Sequence, residues 1–261
     1  MPAAIARAAI APVLVEPRIR AEQVTQLVLG ETAAITDQDG EWRRLCTHTD
    51  GYDGWTHSGY LCEVTEQQGD EWRERATAWS EGAVVTVGQV RQPLPLRARL
   101  ELQADTVLLP DGRRGRVIAG CVRAVEELTQ AARAKAPERW ALEYFAGSPY
   151  EWGGVTPWGV DCSGLVQTTF AARGVSLPRD SAQQVFHGTA VSFEAMRPGD
   201  LLFFCGETTS NITHVAFAAD ADTLIHSTLA CGGTLVETWL AGTRAGTLRQ
   251  RLVAVRRLED R

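Results

Sequence analysis

Long apolar runs are missing from this chain. No stretch reaches the ~18 consecutive apolar residues that a membrane-spanning helix needs, which excludes a helical membrane span. Positive charge is in deficit as well. Twenty-six Lys and Arg stand against 32 Asp and Glu, a net charge of −6. With no basic face gathered anywhere, nucleic acid is excluded as a partner. Cysteine is sparse: Cys46, Cys62, Cys121, Cys162, Cys205 and Cys231 form no C-x-x-C pair. That argues against a disulfide scaffold and against a structural zinc site. The group Cys46, His48, His57 and Cys62 reads as scattered side chains on small strands, and no metal or organic cofactor is called for. The opening residues, MPAAIARAAIAPVLVEP, lack a basic start followed by a long apolar core. No secretory signal is read there, and the expected location is the cytoplasm.

What the chain does contain divides into two halves. From about Val13 to Glu127, short apolar runs such as TQLVLGE, AVVTVGQV and DTVLLPDGRRGRVIAG alternate with turn residues. Asp39-Gly40, Asp53-Gly54 and Asp111-Gly112 read as hairpin or turn signals. Strands of this length and spacing predict two small antiparallel barrels, residues 10–80 and 81–127. The charged segment TEQQGDEWRERATAW reads as a turn-rich boundary between them. Helices are predicted over 125–136 and from Pro137 to the stop at Gly147. A further helix and the strands DLLFFCG, ITHVAFAAD, DTLIHST, LVETWL and RLVAVRRL follow. Helices and then an antiparallel sheet make the 128–261 region α+β, not alternating βα.

The chemistry concentrates in SPYEWGGVTPWGVDCSGLVQTTFAARGVSLPRDSAQQ, residues 148–184. Asp161 is a sound N-cap, which sets Cys162 in the first turn of a helix that Gly174 ends. Unpaired amides and the helix dipole favour a thiolate there, so a lowered thiol pKa is expected. Position alone leaves Cys162 open between a nucleophile and a small buried hydrophobe. A nucleophile needs a base, and the base an orienter. Among the five histidines, His214 and His226 fall on consecutive strands, where cross-strand side chains meet. This pattern favours a Cys-His-His triad with His214 as base and His226 orienting it.

The pieces PYEWGG, DCSGLVQTTF, LPRDSAQQ, RPGDLLFF, THVAF and LIHS, in that order, resemble the NlpC/P60 (NlpC) family of bacterial cysteine peptidases over residues 130–261. With small SH3-like barrels ahead of them, the resemblance is closest to the YkfC-type γ-D-glutamyl-L-diamino acid endopeptidases. It implies a papain-like catalytic domain and hydrolysis of the γ-D-glutamyl–diamino acid bond of peptidoglycan stem peptides. It implies that Tyr150, twelve residues before Cys162, places its hydroxyl at the developing oxyanion beside the Cys162 N–H. Asp161, Ser163 and Ser181 then bind the L-Ala-γ-D-Glu portion, Asp161 also remaining an N-cap. In the first barrel, Glu22 and Tyr52 would close over the free amine of L-Ala, or Glu22 is a surface carboxylate. The substrate would then be a released stem peptide, not intact polymer. Two other readings stay open: a catalytically silent binder of wall peptides, and an amidase or acyltransferase of the same superfamily.

Overall fold

The computed structural model describes residues 2–104 and 106–259, and the chain divides into two compact units at Thr129/Gln130. The first unit opens with β1 (Pro2–Ala6), β2 (Ile10–Leu14), β3 (Gln23–Val28), β4 (Thr32–Asp39), β5 (Trp42–Thr47), β6 (Asp53–His57) and β7 (Leu61–Thr65). These form one seven-stranded antiparallel sheet, ordered β3-β2-β6-β5-β4-β1-β7. The sheet therefore starts at Pro2, ahead of the boundary at residue 10, because β1 pairs with both β4 and β7. Its core is aliphatic: Ala4, Val13, Leu27, Leu45 and Leu61 are buried together. Asp39-Gly40 forms a tight hairpin turn, with Asp39 opposite Trp42 and Gly40 at φ +54°. Asp53-Gly54 does not turn; both residues lie within β6. The glycine there serves close packing instead, since a Cβ on Gly54 would come within 2.6 Å of the Val13 side chain.

The segment read as turn-rich is a helix, α1 (Glu66–Arg75), opened by a capping box between Thr65 and Gln68. Its few apolar residues hid it, yet Trp72 anchors it. That indole is buried against Ile5 and Ala76, and its Nε1 donates to the Gly30 carbonyl at 2.8 Å.

The second barrel comprises β8 (Ala78–Ser80), β9 (Val84–Val87), β10 (Val90–Pro93), β11 (Arg99–Gln103), β12 (Thr106–Leu108), β13 (Arg114–Ala119) and β14 (Val122–Ala124). Their order is β10-β9-β13-β12-β11-β8-β14, and Asp111-Gly112 makes the β12–β13 turn, with Gly112 at φ +82°. The two barrels are pinned to each other. Glu31 receives the Arg97 guanidinium at 2.5 Å, with both side chains 3% exposed. The Leu29 carbonyl accepts the Arg99 N–H at 2.7 Å. Gly30 sits so close that a Cβ would fall 2.0 Å from the Arg99 oxygen.

The second unit follows the predicted α+β order. After α2 (Val125–Arg133), which straddles the division, come α3 (Pro137–Phe145), β15 (Val155–Thr156), β16 (Gly159–Val160), α4 (Cys162–Ala172), α5 (Ser181–Gln184) and β17 (Thr189–Val191). The chain continues as β18 (Leu201–Cys205), β19 (Ile212–Ala218), β20 (Thr223–Thr228), β21 (Gly233–Thr238), α6 (Gly246–Arg249) and β22 (Leu252–Arg257). β17–β22 form a six-stranded antiparallel sheet, ordered β17-β22-β18-β19-β20-β21. One face of it packs Leu202, Phe204, Ala216, Leu224 and Trp239 together. Helix α4 is buried along nearly its whole length and rests on β19, with Phe170 stacked on Phe217. Each such buried aromatic contributes roughly 1.5–3 kcal/mol. Asp200 is structural, gripped by Arg257 through both oxygens at 2.8 and 2.7 Å.

Candidate active site

The head of α4 is built around Asp161. Its Oδ1 accepts from the Gly164 amide at 2.8 Å, the cap that starts the helix, and from Ser163 Oγ at 3.2 Å and Arg179 Nη1 at 3.0 Å. Its Oδ2 accepts from the Gly153 amide at 2.8 Å and Arg179 Nη2 at 2.5 Å. Arg179, 1% exposed, also donates to Ser163 Oγ at 2.7 Å. The loop carbonyl of Gly154 crosses so near the helix that a Cβ on Gly164 would meet it at 2.1 Å. Only glycine fits there, which explains the third residue of the Cys-Ser-Gly run.

Cys162 is buried, 7% exposed, at the first position of α4. Its sulfur receives the backbone N–H groups of Ser163 and of Val215, the residue that follows His214 on β19. Both bonds favour the thiolate, as does Arg179. They are outweighed: burial first, and Asp161 second, push the thiol up to about 12. The lowered thiol pKa expected from the helix start is therefore not found, because desolvation at this depth exceeds what two amides supply. Tyr150 is half-buried nearby, its hydroxyl pushed well above the usual tyrosine range by burial and then by the charges of Cys162 and Asp161.

The histidines lie on neighbouring strands. The β19–β20 register pairs Phe217 with Ile225 and Ala218 with Leu224. Continued, it sets His226 opposite Ala216, two residues from His214 on the same face, so the rings meet on the diagonal. His214 Nε2 and His226 Nδ1 are 2.9 Å apart, and the rings make an edge contact with centroids at 5.0 Å. Burial, then the Arg251 charge, pulls His214 down to about 4; burial, then His214 and Arg244, pulls His226 down to about 3. At neutral pH both imidazoles and the thiol rest uncharged.

Three participants were not singled out from sequence. Arg179 is the first, and its signal in the sequence is a lone Arg within LPRDS, next to small and acidic residues. Glu237 is the second: its Oε2 accepts from His226 Nε2 at 2.9 Å. Arg244 in turn holds Glu237, its Nε bonding Oε1 at 3.1 Å. Glu237 occupies the strand phase of Leu235 and Trp239, and an acid in that phase was the available clue. Ser181 is buried as the first residue of α5. Glu22 and Tyr52 belong to the first unit, Glu22 exposed just before β3 and Tyr52 partly buried just before β6.

A thiol at the head of a buried helix and a hydrogen-bonded imidazole pair on the strands beneath it serve acyl transfer by sulfur, and the α+β domain around them places the molecule among the papain-like cysteine peptidases. Comparison with known proteins narrows this. The model of the NlpC/P60 family matches residues 147–255, and that of the bacterial dipeptidyl-peptidase SH3 domain matches residues 13–61. A γ-D-glutamyl-L-lysine dipeptidyl-peptidase of Bacillus subtilis is 30% identical over 230 residues, 78% of this chain and 71% of that protein. The protein of the same name from Bacillus cereus is 28% identical over 224 residues, 78% of this chain and 66% of its own length. A crystal structure of an NlpC/P60 family protein from Bacillus cereus superposes with a TM-score of 0.79 over 98% of this chain and 99% of that one; at 20% identity it speaks to fold alone. The chain belongs to the NlpC/P60 family and carries an SH3-type domain ahead of its peptidase domain.

Proposed function

We propose that this peptidase hydrolyses the γ-D-glutamyl–diamino acid bond of peptidoglycan stem peptides that carry a free N-terminal L-Ala, such as released fragments in murein recycling. The observation that supports this most is the hold on the sulfur: the amide next to the base His214 bonds the Cys162 thiol at the head of α4. The relatives named for γ-D-glutamyl-L-lysine peptides supply the substrate class.

In the proposed reaction His214 takes the thiol proton as Cys162 sulfur attacks the γ-carbonyl of D-Glu. The tetrahedral oxyanion is met by the Cys162 N–H and the Tyr150 hydroxyl. Collapse breaks the C–N bond, and the proton on His214 passes to the departing amine. Water then gives its proton to His214 and its oxygen to the thioester carbon, releasing the acid and restoring the thiol. Asp161 works here mainly through its cap and its pair with Arg179, and its negative charge beside the site also suits an ammonium group. Ser181 supplies a hydroxyl for the D-Glu α-carboxylate, and Ser163 joins it by turning its one proton from Asp161 to the substrate. The resemblance assigns the free amine to Glu22 and Tyr52.

The test is mass spectrometry of L-Ala-γ-D-Glu-L-Lys incubated with enzyme. Free lysine is expected with the unaltered protein, none with Cys162→Ala, and much less from the N-acetylated peptide. Glu22→Gln is expected to narrow the preference for the free amine. Persistent cleavage by Cys162→Ala overturns the mechanism. Turnover of a lipid ester with no peptide cleavage moves the protein to the acyltransferase reading.

A further inference from the structure

Beyond the nucleophile and its base, the hydrogen-bonded chain continues outward: His214 Nε2 to His226 Nδ1 at 2.9 Å, His226 Nε2 to Glu237 Oε2 at 2.9 Å, and Glu237 to Arg244 through both carboxylate oxygens. His226 is 1% exposed, so water does not compete for its nitrogens. Donor and acceptor accounting then places the protons. A carboxylate only accepts, so the single proton of neutral His226 sits on Nε2. Its Nδ1 is bare and accepts from His214, which places the His214 proton on Nε2. The other nitrogen of His214, Nδ1, is left without a proton.

We infer that Glu237 is a positioning residue of this enzyme: paired with Arg244, its carboxylate selects the tautomer of both imidazoles and thereby keeps Nδ1 of His214 free to act as the base. The inference rests on the Cys162–His214–His226 reading above. Without the carboxylate, His226 can carry its proton on Nδ1 and donate it to His214 Nε2. His214 is then protonated on Nδ1 and has no lone pair left for a thiol. The groups facing the pair are Glu237 on β21, Arg244 beyond it, Arg251 ahead of β22 and Asp161 ahead of α4. Of these, Glu237 alone is a carboxylate bonded to a ring. Arg244 is the half-exposed end of the chain, 44% accessible at its side chain, and serves to orient and hold the carboxylate.

Two readouts on full-length Glu237→Ala test this. Long-range ¹H–¹⁵N spectra of the histidine rings report tautomers without any substrate. The unaltered protein is expected to show Nε2–H on both His214 and His226, and Glu237→Ala a shift of both toward Nδ1–H. With a cleaved peptide substrate, kcat is expected to fall at least ~10-fold with KM little changed, less than the ~10⁴-fold seen when a carboxylate bonded directly to the base is neutralised in a serine-protease triad. Glu237→Gln, which keeps an accepting oxygen of the same shape, is expected to fall between. Unaltered Nε2–H tautomers in folded Glu237→Ala overturn the inference. If the alanine variant does not fold, unchanged kcat and unchanged tautomers in Glu237→Gln and Glu237→Leu do the same. Because the spectra need no turnover, failure of the proposed substrate remains distinguishable from failure of this role.

Discussion

Two carboxylate–guanidinium pairs flank the candidate site, one beside Cys162 and one beside His226, and they differ in how much water reaches them. Asp161–Arg179, behind the thiol, has side chains 6% and 1% exposed. Glu237–Arg244, behind the imidazoles, has side chains 15% and 44% exposed. The buried pair is woven into backbone, taking the Gly153 and Gly164 amides and so fixing where α4 begins. The outer pair meets the imidazoles only through the Glu237–His226 hydrogen bond. A desolvated pair is costly to break, because the surviving charge stays buried. A wet pair is screened and contributes little to stability, which leaves it free to serve proton placement.

The contrast can be broken most forcefully at Arg179. Arg179→Ala strands the Asp161 carboxylate and is expected to cost about 3–5 kcal/mol in urea unfolding. Arg179→Lys should recover only part of that, since a lysine cannot span both oxygens. A loss below ~1 kcal/mol would show that the inner pair is no more structural than the outer one.

Acid should expose the imidazole side next. Unfolded histidine titrates near 6.5, whereas His214 and His226 are held down to about 4 and about 3. Between those values the unfolded chain binds more protons than the folded one. Stability is therefore full above pH 6.5 and falls as the pH drops toward 4. Comparing chemical unfolding of the unaltered protein with His226→Gln over pH 4–7 should show the variant's slope flatter by about one proton, or ~1.4 kcal/mol per pH unit. Equal slopes would refute the depressed His226 pKa.

The smallest effect is expected at the outer end of the chain. Arg244→Ala should change unfolding stability by no more than ~1 kcal/mol, the range of exposed pairs. Its kcat should fall less than that of Glu237→Ala, and more in dilute buffer than in high salt. A stability loss matching that of Arg179→Ala would erase the distinction between the two pairs.

Much of this could be read along the chain, and where it could not the reason is local. Asp161 ahead of an apolar helical pattern places Cys162 at a helix start, because capping is decided within four residues. His214 and His226 fall on strands by alternation. By contrast, α1 is hard to see in the sequence because its burial hangs mainly on Trp72 reaching Gly30. Asp53-Gly54 carries a turn signature yet lies within β6, where Gly54 makes room for the Val13 side chain. The thiol pKa went the other way from the helix-start argument, since depth of burial is not written in neighbouring residues.

No helix among the described residues is long and apolar enough to cross a membrane. Local sequence was enough for the order of elements, the family, and the placing of Cys162 at a helix start with His214 and His226 on neighbouring strands. Those depend on short-range capping, strand alternation and motif spacing. Folding alone brought Arg179 to Asp161 from 18 residues away and Glu237 to His226 across a strand pair. Charges choose partners by distance and desolvation in three dimensions, and those become defined only when the sheet closes beneath α4.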